Sequence, residues 1–175
     1  LAMSLVNAGK RVIVVDMDIR KGTLSAPYGD RHKGLTNFLA DESYPMADLI
    51  RKDAMAPGLD LIAAGTIAPN PAELLMSERL DELFAYLREQ YDYIVADNVP
   101  IGIIADGSIS NRIADLTIFV VRAGKLDKRQ LPELEELYQE NKLKNMALVV
   151  NGTEIHRRGY GYGYGYGYGY GTKEK

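Results

Sequence analysis

An apolar run ends in polar residues set two apart: Val12-Ile13-Val14-Val15 leads into Asp16-Met17-Asp18-Ile19-Arg20. Carboxylates at i and i+2 after a fully apolar strand emerge at the carboxyl edge of a sheet, where open α/β folds bind ligands. A second run, Tyr93-Ile94-Val95-Ala96, delivers Asp97 at its own carboxyl end, followed by Asn98-Val99-Pro100. Each has a plain structural reading: Asp16 caps a turn or pairs with Arg20, and Asp97 starts a turn. Together they say more, because three carboxylates at one sheet edge repel one another unless a cation or a proton-accepting role offsets the repulsion. The combination points to a metal-phosphate site, in which a strand-end Asp holds Mg²⁺ and the metal neutralises phosphate charge.

A phosphate cradle of the form G-x-x-x-x-G-K-[ST], whose backbone amides and lysine would complete such a site, occurs nowhere in the 175 residues. Leu1 to Lys10 reads as the remainder of a helix that stops at Ala8-Gly9-Lys10. The expectation is a chain truncated at its N-terminus, with the loop just upstream of Leu1. A natural start at Leu1 would leave a nucleotide site without its cradle.

The elements that must position these side chains follow from the apolar pattern. Arg11 to Val15, Tyr93 to Ala96, Leu116 to Val121 and Ala147 to Val150 are short and rich in Val and Ile, which predicts strands buried on both faces. Leu59 to Ile62, after the Pro57-Gly58 turn, predicts a fifth. Helical spacing marks Glu73 to Glu89 and Asp127 to Asn141, the latter through Leu131, Leu134, Leu137 and Tyr138. Strand-helix alternation predicts an α/β domain with a mostly parallel sheet and helical crossovers. The domain covers residues 1–155, and 156–175 form a flexible tail in which Gly159 to Gly171 alternates strictly with Tyr160, Tyr162, Tyr164, Tyr166, Tyr168 and Tyr170.

Composition narrows the function classes. Lys+Arg 21 against Asp+Glu 24 gives a net charge of −3, without the basic excess that nucleic-acid binding demands. The chain has no cysteine, which excludes disulfide frameworks, zinc-thiolate clusters and thiol nucleophiles. No apolar run reaches the roughly 20 residues of a membrane span.

These residues resemble the bacterial tyrosine kinases, a branch of the deviant-Walker P-loop ATPases, over nearly the whole chain. Val12 to Arg20 is similar to the family's Walker A′ element, an apolar run followed by D-x-D-x-R. Gly34-Leu35-Thr36-Asn37-Phe38-Leu39 is similar to the short segment that follows it. Ala64 to Leu75 resembles the G-x-x-P-P-N-P-x-E-L-L stretch, with Ala68 in place of the first Pro. Asp92 to Pro100 resembles Walker B, although Asn98-Val99-Pro100 stands where many members have Ser/Thr-Pro-Pro, and Val120 to Gly124 is similar to the following strand and turn.

The resemblance implies a P-loop NTPase-like fold and an ATP- and Mg²⁺-dependent protein-tyrosine autokinase. Asp16 would help deprotonate the attacking tyrosine, Asp18 and Asp97 would support Mg²⁺, and Arg20 completes the catalytic element; the base and metal roles of Asp16 and Asp18 are exchangeable. A phenol with a pKa of about 10 is a poor nucleophile near neutrality, and an adjacent carboxylate can take its proton as the new bond forms. Asn151, just after the last strand, would bond adenine. The six tail tyrosines would be the acceptors, in trans between subunits of a homo-oligomer. The implied setting is the cytoplasmic face of the bacterial inner membrane, in the control of capsular or extracellular polysaccharide synthesis and export. Its partners would be a polysaccharide co-polymerase membrane domain, fused or separate, and a cognate tyrosine phosphatase.

Two other readings share parts of the pattern. A partition or division-site ATPase has the same Asp arrangement but no use for the tail. A nucleotide-fold scaffold would use the tail as a sticker segment. A flexible stretch of about 12 residues has a root-mean-square span of roughly 20 Å, enough to reach a neighbouring active site. Six phosphotyrosines would add roughly −9 to −12 charge, which predicts that phosphorylation dissociates the oligomer. His156-Arg157-Arg158 reads as a solvated hinge, His32 as a loop residue, Tyr91 and Tyr93 as packing residues, and Asn70-Pro71 as a helix start.

Overall fold

A computed structural model describes residues 1–29, 33–99 and 111–153. The six tail tyrosines, His32, Pro100 and His156-Arg157-Arg158 lie outside the described residues.

The order of elements is α1 (Ala2–Asn7), β1 (Val12–Asp16), α2 (Leu35–Ala40), α3 (Met46–Leu49), β2 (Arg51–Ala56), β3 (Leu59–Ile62), α4 (Pro71–Leu75), α5 (Glu78–Gln90), β4 (Tyr93–Asp97), β5 (Ile118–Arg122), α6 (Leu131–Gln139) and β6 (Ala147–Asn151). The larger sheet runs β2-β3-β1-β4, and β5-β6 form a second, two-stranded sheet. β1 is parallel to both β3 and β4, with Val12 opposite Leu59 on one side and Tyr93 on the other. β5 and β6 are also parallel, Ile118 opposite Ala147.

Alternation along β1 explains why its run is apolar throughout. Val12 and Val14, with Leu59 and Leu61, face α1 through Ala2, Leu5 and Val6. Ile13 and Val15, with Ile62, face Phe38 of α2 and Leu80, Leu83, Phe84 and Leu87 of α5. Side chains of successive residues leave opposite faces of a strand, so a strand covered on both sides favours apolar residues throughout and takes a polar one only where it finds partners, as Asp60 of β3 does in Lys52 and Tyr91. In β1 that position is Asp16.

Burial on both faces holds for β1, and β3 is buried likewise, but the same expectation for β4, β5 and β6 is corrected. Val120, Leu148 and Val150 are more than half exposed, and Tyr93 is 45% exposed. β4 is the edge strand of the larger sheet; β5 and β6 form a sheet of their own, and among the described residues the helix between them, α6, buries none of its side chains. Apolar composition predicted the strands but not the layers over them.

Two further corrections concern boundaries. The helix expected over Glu73 to Glu89 is two helices, α4 and α5, broken at Met76-Ser77. Ser77 is extended, with ψ of 149°, and Arg112 binds the carbonyls of Leu75 and Ser77, each at 3.0 Å, so the break has its own cap. β2 was not legible as a strand, since Arg51-Lys52-Asp53-Ala54 has no apolar run; it is an antiparallel edge strand made by the Pro57-Gly58 turn, with Gly58 at φ of +78°. Pro71 opens α4 behind Asn70, as the sequence implies. Among the described residues no helix is long and apolar enough to cross a membrane.

Candidate functional site

Parallel pairing of β1 with β4 brings two of the predicted carboxylates together. Asp16 lies opposite Asp97 in register, and Met17 N–H donates to the Asp97 carbonyl at 2.8 Å, so the strands leave the sheet side by side. Asp18 follows two residues on. The carboxyl edge predicted from the two apolar runs is therefore one edge.

The three carboxylates differ in what surrounds them. Asp16 is fully buried, and both its oxygens are occupied: Oδ1 accepts from Asp18 N–H at 3.1 Å and Oδ2 from Ser25 N–H at 2.9 Å. Asp18 is partly exposed; its Oδ1 accepts from Lys21 N–H at 3.1 Å, and its carbonyl accepts from Gly22 N–H at 2.6 Å. Gly22 has φ of +58° and a hypothetical Cβ only 3.0 Å from that of Ala64, so this turn needs glycine for both conformation and space. Asp97 is exposed at the end of β4, yet its carboxyl is pushed above the usual range, first by partial desolvation and then by the negative charges of Asp16 and Asp18. Arg20, partly exposed, continues the same turn.

That turn is held by residues the sequence reading passed over. Ser25 Oγ accepts from Ala64 N–H at 3.1 Å, and Thr36 Oγ1 donates to the Ala64 carbonyl at 2.8 Å. The two peptide groups that flank Ala64 are thus each held by a hydroxyl. Leu35 and Thr36 N–H, unpaired within α2 because they begin it, donate to the carbonyls of Ala63 and Ala64 at 2.8 and 2.9 Å. The approach is close enough that a Cβ on Gly34 would lie 2.4 Å from Gly65 N and 2.5 Å from the Ala63 carbonyl oxygen. Gly34 and Thr36 were visible only as part of a family segment. A lone Ser in a polar loop carries no pattern, and Ser25 had no signal at all.

The donor set suits a hard, oxygen-seeking cation. Among the described residues no group of three His, Cys, Asp or Glu side chains could hold an ion by itself. Mg²⁺ does not need such a cage, because it keeps several waters and is held by one or two carboxylates together with phosphate oxygens. The mutual repulsion that raises Asp97 is the electrostatic complement of a cation placed there.

The remaining predicted residues lie elsewhere. Asn151 ends β6, in the two-stranded sheet and not the one that carries Asp16 and Asp97, and its side-chain oxygen accepts from Gly152 N–H at 2.8 Å. Tyr91 is buried and hydrogen-bonded to Asp60 at 2.6 Å, which fits a packing role with a polar anchor, while Tyr93 on β4 is largely exposed.

Comparison with known proteins gives the family. A family model described as an AAA domain matches residues 1–145. The chain is 32% identical over 160 residues to the tyrosine-protein kinase CpsD of Streptococcus pneumoniae, covering 89% of this chain and 68% of that one. The kinase domain of the Escherichia coli tyrosine kinase ETK superposes with a TM-score of 0.79 at 27% identity, over 95% of this chain and 64% of that one. The septum site-determining protein MinD of Pyrococcus horikoshii, solved with Mg-ADP, superposes with a TM-score of 0.65 at 18% identity, which shows the shared P-loop NTPase fold. With its strand-end carboxylates in register and these relatives, the chain belongs to the AAA-domain family and, within it, to the bacterial tyrosine-protein kinases.

Proposed function

We propose that the protein is an ATP- and Mg²⁺-dependent protein-tyrosine autokinase, with residues 1–155 as its kinase body and 156–175 as its substrate tail. The observation that carries the reading is the register of Asp16 with Asp97 at one carboxyl edge, with the partly exposed Asp18 beside them. In the reaction the tyrosine oxygen bonds to the γ-phosphorus of ATP, the bond from that phosphorus to the β–γ bridging oxygen breaks, ADP leaves, and the phenolic proton passes to a carboxylate. Mg²⁺, when bound with the nucleotide, neutralises charge on the phosphates.

Burial argues against Asp16 in either of the two roles that the sequence left exchangeable between it and Asp18. Asp16 has no exposed surface and both oxygens already accept backbone hydrogen bonds, so it orients the turn rather than meeting a substrate. Asp18 is the accessible proton acceptor, Asp97 the ion-holding carboxylate, and Arg20 a positive charge toward the transferring phosphoryl group. The acceptors are Tyr160 to Tyr170 of a neighbouring subunit, in a homo-oligomer at the cytoplasmic face of the inner membrane. There the kinase regulates capsular or extracellular polysaccharide synthesis and export with a co-polymerase membrane domain, and a cognate phosphatase resets it.

The test is autophosphorylation of the natural full-length protein with ATP and Mg²⁺. Asp18→Asn abolishes phosphotyrosine while nucleotide binding, read by a fluorescent ATP analogue, persists. Undiminished phosphotyrosine in Asp18→Asn removes Asp18 from the base role, and absence of tail phosphorylation in the parent protein ends the autokinase reading.

A further inference from the structure

A groove of about 510 Å³ opens beside the Asp16–Asp18 turn, between α2 and the segment that joins β3 to α4. Asn37, Thr66 and Asn70 line its polar rim, and Leu39, Ala68 and Leu74 its apolar floor. Its volume is in the range of small-molecule sites, large enough for an aromatic ring. Two links fix it to the reaction centre. Ala68 N–H donates to the Ile19 carbonyl at 3.3 Å, next to Asp18, and Thr36, which also lines the groove, donates to the carbonyl of Ala64, whose N–H in turn bonds Ser25, the residue whose own N–H binds Asp16.

We infer that this groove is a recognition subsite for a second tyrosine of the Gly-Tyr tail, residues 159–171 of a neighbouring copy, and that it accepts tyrosine but not phosphotyrosine. The inference rests on the autokinase reading and adds how the substrate is chosen.

The tail's spacing can present two rings at once. In an extended bound segment every second side chain falls on one side, about 7 Å from the next. When one tyrosine stands at Asp18, the next in the repeat lies one such step away, and the intervening glycines let the backbone approach the surface. A generic tyrosine-rich sequence without this period would not present two rings together.

Charge supplies the selectivity. None of the described residues lining the groove is charged, and residues 159–171 are uncharged as well. Asn70 on the rim donates to the Glu73 carboxylate at 2.6 Å, so an anion placed here meets negative charge and no lining cation. A phosphotyrosine carries roughly −1.5 to −2 charge and loses its place in such a groove. Phosphorylation of one ring therefore weakens docking of the pair it belongs to, and the tail is modified in separate encounters rather than in one pass.

Ile67, which also lines the groove and is 58% exposed, gives a probe that leaves the core untouched. In the natural full-length protein, Ile67→Glu should slow initial tail phosphorylation about fivefold, the equivalent of one lost aromatic contact, with the KM for ATP unchanged. Ile67→Arg should raise the share of chains carrying several phosphates, read tyrosine by tyrosine by mass spectrometry. The 175 residues hold no cysteine, so Ile67→Cys, with any cysteine elsewhere in the full-length protein changed to Ser, offers one attachment point for a photo-crosslinker. Crosslinks to residues 159–171 in unphosphorylated protein, lost on phosphorylation, are expected without any ATP. Crosslinks without tail phosphorylation would leave docking intact and end the kinase reading. Normal phosphorylation with no crosslink, or with both charge variants at parental rates, overturns the inference and leaves the kinase reading standing.

Discussion

Ser25→Ala removes one hydroxyl from the loop that orients Asp16, and its consequence can be worked out before measurement. Ser25 is 5% exposed and Ala64 3% exposed, so the Ala64 N–H that now donates to Ser25 Oγ at 3.1 Å would be left buried without that acceptor. A buried, unsatisfied amide costs about 1–3 kcal/mol. For a chain of this size each kcal/mol lowers Tm by about 2–4 °C, so a mid-range cost of about 2 kcal/mol gives a fall of about 4–8 °C. Thr36→Val tests the other side of the same residue, the carbonyl of the next peptide. The Ala64 carbonyl loses the Thr36 hydroxyl at 2.8 Å but keeps Thr36 N–H at 2.9 Å, so no group is left unpaired and the cost stays below about 1 kcal/mol. Asp16 itself bonds the Ser25 backbone rather than its hydroxyl, so neither change removes a contact of that carboxylate. Thermal unfolding of both variants, followed by circular dichroism, should place Ser25→Ala clearly below Thr36→Val. Equal midpoints, or the reverse order, would refute the clamp as drawn.

Gly34→Ala should destabilise by about 1–3 kcal/mol or more, because its Cβ would sit 2.4 Å from backbone that cannot yield without moving α2; urea unfolding gives the value. Tyr91→Phe leaves Asp60 with Lys52 at 2.8 Å and Asp53 N–H at 2.9 Å but removes the tyrosine hydroxyl at 2.6 Å, an expected loss of about 1.5–3 kcal/mol for a bond to a charged acceptor. Denaturant midpoints that match the parent would count against that triad. The pairing of Arg11 with Asp92 holds the Asp92 carboxyl down at about 2, through side-chain and backbone hydrogen bonds and then the guanidinium charge. A depressed carboxyl contributes stability in full above its ordinary value of about 4 and loses it as pH falls toward 2. Asp92→Asn should therefore flatten the acid limb of the stability curve between those two values, and an unchanged limb would show that the pair contributes nothing there.

The sequence by itself determined the local content of this protein. Apolar runs rich in Val and Ile marked four of the six strands and the Pro57-Gly58 turn pointed to a fifth, and Asp16 and Asp97 were legible because each follows such a run. β2 escaped notice, since an edge strand with one exposed side needs no apolar run, and the break at Met76-Ser77 escaped because helical spacing continues across it. The full burial expected for β4, β5 and β6 also failed, because an apolar strand states what it can bury and not what lies over it. Tertiary structure alone decided which carboxylate faces solvent. Asp16 and Asp18 are equivalent letters in D-x-D, and only the return of the chain through Ser25 and Ala64 buries one and leaves the other accessible. A hydrogen bond between residues far apart in sequence leaves no period to read, so roles that depend on it become visible only when the chain has folded.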